Sequence, residues 1–251
     1  MRRSYLIILM VPVLGLSFFT SPLFADARCS EKTLKGTYIY ASTGIRGGVV
    51  YVEAGQEVFD GKGGIVNTYT DSSGALIETK GVYDINQACI GQAMYEDTGD
   101  KYDMYTGPSG SEFSWISVSR GTKINGRDVR VSSSLDAQCS DRTLKGTYVY
   151  SHIGYKNGIQ YIESGQDVFD GRGGHINTFT DAGGLTVTTS GTYSVGRNCI
   201  GQTFYEDTRD SYSIYVDPKG TELRYAAINP KPGNAGVGSM RRVGKEVQVP
   251  R

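Results

Sequence analysis

Histidine is almost missing from this 251-residue chain: there are two, His152 and His175, alongside a single tryptophan, Trp115. Charge of either sign is not in excess, since 26 basic residues balance 26 acidic ones. A surface without a basic surplus lacks the electrostatic footprint that nucleic-acid binding requires, so nucleic acid is excluded as a partner. Beyond the N-terminus no apolar run approaches the ~20 residues of a membrane helix, which predicts no membrane span in the mature chain. No G-x-S-x-G elbow, phosphate-cradling loop or zinc-protease signature occurs, so hydrolase chemistry has no support. The four cysteines show no C-x-x-C spacing, and this points away from metal or redox centres.

What is present starts with Arg2-Arg3 followed by the apolar run from Tyr5 to Phe19. A charged lead and a short apolar stretch predict a secretory signal rather than a membrane anchor. Ala25-Asp26-Ala27 supplies small residues at both positions a signal peptidase reads, so residues 1–27 are expected to be removed with cleavage near Ala27. The expected location is secreted or periplasmic, in a bacterium. Without those residues the chain carries 24 basic and 25 acidic side chains and stays near neutral.

The remainder is written twice. At a constant offset of 110, Cys29 to Arg120 overlays Cys139 to Pro230 without a gap, with 43 of 92 positions identical. Beyond Arg120 the register drifts by two residues, which predicts a loop at Gly121 to Gly126 and its counterpart at Lys231 to Gly238. A period this long suits a whole small domain rather than a solenoid unit. Two domains, 28–134 and 135–246, and a short tail, 247–251, follow. Each copy holds two cysteines 60 residues apart. Of the three connectivities four cysteines allow, Cys29–Cys89 with Cys139–Cys199 lets each copy fold as a self-contained unit. A closed loop of this length stabilises by roughly 4 kcal/mol in the loop-entropy picture.

Short runs rich in Tyr, Val, Ile and Thr are cut by glycine clusters at roughly ten-residue intervals, the pattern of successive hairpins. In copy one these runs predict strands at 35–43, 48–59, 65–71, 75–85, 89–96, 101–106, 112–119 and 127–132. The fold class is therefore all-β: two tandem small antiparallel up-and-down β-barrels, with a β-sandwich as the alternative. Cys29-Ser30, Thr33 to Tyr38, Phe59-Asp60-Gly61, Gly81-Val82-Tyr83 and Cys89, repeated from Cys139 onward, resemble a group of exported bacterial domains of no settled function. That resemblance implies calycin-like barrels, the broad architecture of lipocalins and of allene oxide cyclase-like proteins, and implies no catalytic residue.

Eighteen tyrosines are the most unusual feature of the composition. Tyrosine offers apolar area and one oriented hydrogen bond, so Tyr38, Tyr40, Tyr51, Tyr83 and Tyr95 in copy one, with Tyr148, Tyr150, Tyr193 and Tyr205 in copy two, are candidates to line a ligand cavity. The same residues also suit filled barrels, because tyrosine is a favoured strand residue. By period-two alternation Tyr51, Glu53, Gly55, Glu57 and Phe59 share a face, as do Tyr161, Glu163, Gly165, Asp167 and Phe169. Glu53 and Glu163 become candidate general acids or bases if that face is interior. Val52, Ala54, Gln56 and Val58 on the opposite face are small and mostly apolar, which favours the carboxylates facing solvent.

Glu96, Asp97 and Asp100, matched by Glu206, Asp207 and Asp210, form acidic turns whose spacing fits no EF-hand loop, so no metal and no cofactor is expected. His152 and His175 stand opposite Ser42 and Ile65 in the other copy, so no histidine mechanism is common to both. The leading functional reading is a binding protein for a small apolar or amphipathic ligand. Its alternatives are an isomerase or cyclase of the allene oxide cyclase-like kind and a non-catalytic envelope interaction module. The differences between copies at Trp115/Tyr225, Met94/Phe204 and Met104/Ile214 predict non-equivalent pockets.

Overall fold

The computed structural model describes residues 28–136, 138–228 and 235–245. The predicted signal segment and the 247–251 tail lie outside the described residues. Copy one forms β1 (Gly36–Arg46), β2 (Val49–Phe59), β3 (Gly64–Asp71), β4 (Leu76–Ile85), β5 (Ile90–Tyr95), β6 (Lys101–Thr106), β7 (Glu112–Ser117) and β8 (Thr122–Ser132). Copy two forms β9 (Lys145–Lys156), β10 (Ile159–Asp170), β11 (Gly174–Asp181), β12 (Thr186–Val195), β13 (Ile200–Tyr205), β14 (Ser211–Val216), β15 (Glu222–Ile228) and β16 (Ala235–Gly244). Within each copy successive strands pair antiparallel, and β8–β1 and β16–β9 pairing closes each set into an eight-stranded barrel. Closure leaves no open sheet edge to template pairing with another chain.

The hairpin turns are where the glycine clusters put them, and the first seven strands begin and end within three residues of the expected bounds. The eighth differs. Gly121 to Gly126 is not a loop: all but Gly121 belongs to β8, and Ala235 to Gly238 likewise belongs to β16. Gly126 and Gly238 are packing residues rather than turn residues. A side chain at Gly126 would run into the Trp115 ring, and one at Gly238 into Tyr225.

The cysteines pair within each copy, Cys29–Cys89 and Cys139–Cys199. Each ties the segment before the first strand to the β4–β5 or β12–β13 turn. Cys89 and Cys199 sit there in left-handed backbone (φ 63° and 64°), a conformation costing roughly 1 kcal/mol for a non-glycine residue.

Strands β5 and β7, and β4 from Glu78 onward, alternate strictly between buried and exposed, as expected of a wall with a packed inside and a wet outside. β2 is buried on both faces over Tyr51 to Gly55 because its outside is covered by the second barrel. Ile39, Val52, Ala54 and Val131 of barrel 1 pack there against Tyr215, Ala226 and Val237 of barrel 2. The Tyr215 hydroxyl meets Thr70 Oγ1 at 2.8 Å across this contact, satisfying both buried groups.

Ala54 is fully buried in this contact. An Ala54→Asp variant leaves an unpaired carboxylate between the barrels, at a cost on the order of 3 kcal/mol. The expected result is one urea transition for the parent and two for the variant, one per barrel. Unaltered cooperativity in the variant would show that the barrels do not depend on each other.

Candidate functional site

Inside each barrel the inward residues form three levels. At the first level tyrosines seal one end. Tyr38 donates to the Gly110 carbonyl at 2.5 Å and Tyr83 to that of Glu31 at 2.7 Å. In barrel 2, Tyr148 donates to the Gly220 carbonyl at 2.6 Å, and the Tyr193 hydroxyl lies 2.8 Å from that of Leu144. Edge-to-face packing on Phe59 or Phe169 completes this floor. Four of the nine tyrosines singled out from sequence, Tyr38, Tyr83, Tyr148 and Tyr193, thus belong to the sealed end, committed to backbone carbonyls.

The middle level holds four more, Tyr40, Tyr95, Tyr150 and Tyr205, together with buried carboxyls, and the ninth, Tyr51, stands at the third level. The Tyr51–Glu53–Glu57 face is the interior one, opposite to the orientation favoured by its apolar partner face. Val52 and Ala54 are apolar because they meet the other barrel, not because they fill their own. In barrel 1, Tyr95 donates to Glu57, Asn67 Nδ2 donates to the Tyr40 hydroxyl at 2.9 Å, and Trp115 Nε1 donates to Asp128 at 2.7 Å. Burial pushes Glu57 up to about 7 and holds Asp128, which lies against it, well above the usual carboxylate range. Two carboxyls so placed are stable with a shared proton rather than two charges.

Barrel 2 solves the same problem differently. Met240 stands where Asp128 is, and His175 stands where Ile65 is. Asp167, the counterpart of Glu57, accepts from His175 Nδ1 at 2.7 Å, Tyr205 at 2.8 Å and Asn177 at 3.1 Å.

The third level, toward the other end, is where the copies part. In barrel 1 the Arg46 guanidinium lies 4.3 Å over the Tyr51 ring and bonds Asp100 at 2.8 Å, bridging β1 to the β5–β6 turn. Beneath it Glu53 accepts from Tyr51 at 2.8 Å and from Ser42 at 3.3 Å. Desolvation pushes Glu53 up to about 7; the two hydroxyl donors and Arg46 pull the other way without cancelling it. Ile124 and Trp115 fill the remaining space, and the internal cavity here is only about 20 Å³.

In barrel 2, Lys156 replaces Arg46 and lies 3.9 Å over Tyr161, forming no ion pair with Asp210. Tyr225 replaces Trp115, and Gly236 takes the place of Ile124. A cavity of about 650 Å³ results, bounded by Tyr150, His152, Tyr161, Glu163, Phe179, Tyr205, Tyr212 and Tyr225 among others. Glu163 accepts from Tyr161 at 2.6 Å and from Tyr150 at 3.1 Å, and burial raises its pKa. His152 stacks on Tyr225 (centroids 5.7 Å, planes 9° apart) and its Nδ1 is buried with no hydrogen-bond partner. Desolvation, with Lys156 second, lowers its pKa to about 4, so it faces the cavity as a neutral ring.

Of the tyrosines predicted for copy two, the cavity takes in Tyr150 and Tyr205. Tyr212 and His152 are not among the lining residues expected from sequence, whereas Tyr225 is, as the pocket-shaping counterpart of Trp115. His152 has no counterpart in copy one, where Ser42 stands, and a residue unique to one copy marks where the copies diverge. The acidic turns hold no metal-ligating cluster among the described residues. Asp97 accepts from Thr79 at 3.0 Å, and Asp100 is the partner of Arg46.

Fold and site together define a tandem pair of eight-stranded antiparallel barrels, one filled and one hollow. No protein-family profile and no curated protein matches the chain. Among solved structures it is similar to a kievitone hydratase from Nectria haematococca, at 8% identity and TM-score 0.30 over 84% of this chain and 90% of that one. It is also similar to a transferrin binding protein B from Haemophilus parasuis (9% identity, TM-score 0.28, 82% and 75% covered). A third is CghA with Sch210972 (7% identity, TM-score 0.29, 88% and 94% covered). At TM-scores this low none of them bears on what this chain does.

The raised pKa of Glu53 has a definite thermodynamic sign. The folded state favours the protonated carboxyl, so the contribution is fully present below the ordinary value of 4.5 and is lost as pH rises through about 7. The loss is on the order of 3 kcal/mol. Glu53→Gln, whose amide can donate to hydroxyls that turn to accept it, is expected to remove that part of the decline between pH 5 and pH 8 in denaturant titrations. Equal pH slopes in parent and variant would contradict a desolvated Glu53.

Proposed function

We propose that the chain is an exported two-barrel binding protein of the duplicated β-domain kind, holding a small amphipathic, ring-bearing molecule in its second barrel. The observation that carries this reading is the contrast of about 650 Å³ in barrel 2 with about 20 Å³ in barrel 1. The larger volume is in the ordinary range for small-molecule sites. Its walls suit a ligand with both a ring and polar groups: tyrosine and histidine faces for stacking, and Glu163, the neutral His152 and the Tyr212 hydroxyl for hydrogen bonds. Barrel 1 is the filled companion. Two intrachain disulfides and the N-terminal charged-then-apolar segment support export, where such bonds persist.

A second reading is favoured by one feature, the placement of Glu163 on the cavity wall with its pKa raised and two tyrosine hydroxyls on its oxygens. In that reading Glu163 shuttles a proton on the bound molecule, as an isomerase or cyclase would require. Glu163→Gln separates the two, since it leaves a binder's affinity within a few fold and stops turnover by an enzyme.

Purified without refolding from its own host, the mature protein is expected to carry one reproducible extra mass in native mass spectrometry that is lost on denaturation. The four changes Lys156→Arg, His152→Ser, Tyr225→Trp and Gly236→Ile install the Arg46, Ser42, Trp115 and Ile124 filling of barrel 1 in barrel 2. The His152 ring occupies the space a side chain at Gly236 needs, so these two must change together. The expected outcome is a folded protein without the extra mass. Retention of the mass in this variant, or its absence from the parent, would defeat the proposal.

A further inference from the structure

The contact between the barrels is heterologous: barrel 1 contributes the outside of β1, β2 and β3 and the end of β8, whereas barrel 2 contributes the outside of β13 to β16. Because the barrels are copies, each retains an uncovered version of the surface the other uses. On barrel 2 the counterparts of the buried Ile39, Val52 and Val131 are Val149, Ile162 and Val243, which are 44%, 49% and 62% exposed. On barrel 1 the counterparts of Ile200, Tyr215 and Ala226 are Ile90, Tyr105 and Ile116, at 45%, 50% and 48%. Even the polar clasp is kept, since Tyr105 and Thr180 correspond to the bonded pair Tyr215 and Thr70.

We propose that these two free faces dock on each other between copies of the chain, barrel 1 of one against barrel 2 of the next, in the geometry of the internal contact. The occupant of each face is named by the molecule itself, because the internal interface shows what this surface packs against when it is covered. Large exposed apolar side chains grouped on one sheet face mark an interaction site in soluble proteins. Ile90 lies directly across from Tyr105, and Ile162 across from Ile153, so each group is contiguous rather than scattered. A head-to-tail contact of this sort does not use itself up in a dimer and extends the assembly unless the rotation closes a ring.

The joint between copies is weaker than the internal one. Gln160, Ser164 and Ser151 stand where barrel 1 has Val50, Ala54 and Ala41, and Asn125 and Lys123 stand where barrel 2 has Val237 and Ala235. The internal contact also enjoys the effective concentration of a tether, which separate copies lack. Association that depends on protein concentration follows, rather than a permanent oligomer.

Sedimentation equilibrium of the mature chain across a hundredfold concentration range is expected to show a mass rising from one chain toward two and more. Tyr105→Glu disables one face and Ile162→Glu the other; both sites are exposed, and near-ultraviolet circular dichroism checks that each variant keeps its fold. Each variant alone is expected to lose the association at least tenfold. An equimolar mixture pairs the intact face of one with the intact face of the other and is expected to recover a dimer that grows no further. A parent of constant monomer mass, an association insensitive to both substitutions, or a mixture that stays monomeric would each overturn the proposal.

Discussion

An eight-stranded barrel has room inside for a layer of side chains or for one small molecule, and much of this molecule follows from that limit. With strand number and closure the same in both copies, the interior volume is decided by a few inward positions. Where Arg46, Trp115 and Ile124 point in, the space is consumed; where Lys156, Tyr225 and Gly236 stand instead, it is open, with His152 recovering only part of it. Closure also fixes which face of every strand is interior. The carboxyls of β2 and β10 are thereby forced inside together with the aromatics on the same face.

Those carboxyls explain why so much of the remaining interior is polar. A buried carboxylate without partners costs several kcal/mol, and both copies surround theirs with hydroxyl, amide or ring donors. Barrel 1 places a second carboxyl, Asp128, beside Glu57, so one proton must be kept. Barrel 2 pairs Asp167 with His175 and puts Met240 at the Asp128 position. The two changes compensate each other: a histidine at the Ile65 position supplies a hydrogen-bond partner to the Asp167 carboxyl, and an apolar thioether fills the Asp128 position. Histidine is scarce in this chain, and both examples lie inside the barrel that carries the cavity.

Much of the fold was legible in the sequence. Strand positions, the hairpin turns, the internal pairing of cysteines and the tandem all-β barrels follow from local alternation, glycine placement and the repeat, all of which act over short distances or by direct comparison. The candidate site was less legible. The Tyr51 to Phe59 alternation places Glu53 and Glu57 on one face but does not say which face is inside. Val52 and Ala54 look like core on composition, and they are core, but of the contact between barrels rather than of their own barrel. Gly126 and Gly238 read as turn residues because a packing glycine beneath an aromatic ring has the same letter as a turn glycine.

By itself, then, the sequence determined the repeated unit, its strand order, its disulfides and the residue types available to the interior, because these depend on neighbours along the chain or on matching copies. Only the tertiary structure decided which copy is hollow, which carboxyls are desolvated and which tyrosines are sealed against backbone carbonyls. Those properties depend on volumes and contacts summed across eight strands. Substitutions far apart in the chain, such as Lys156, Tyr225 and Gly236, act together only once the barrel has closed.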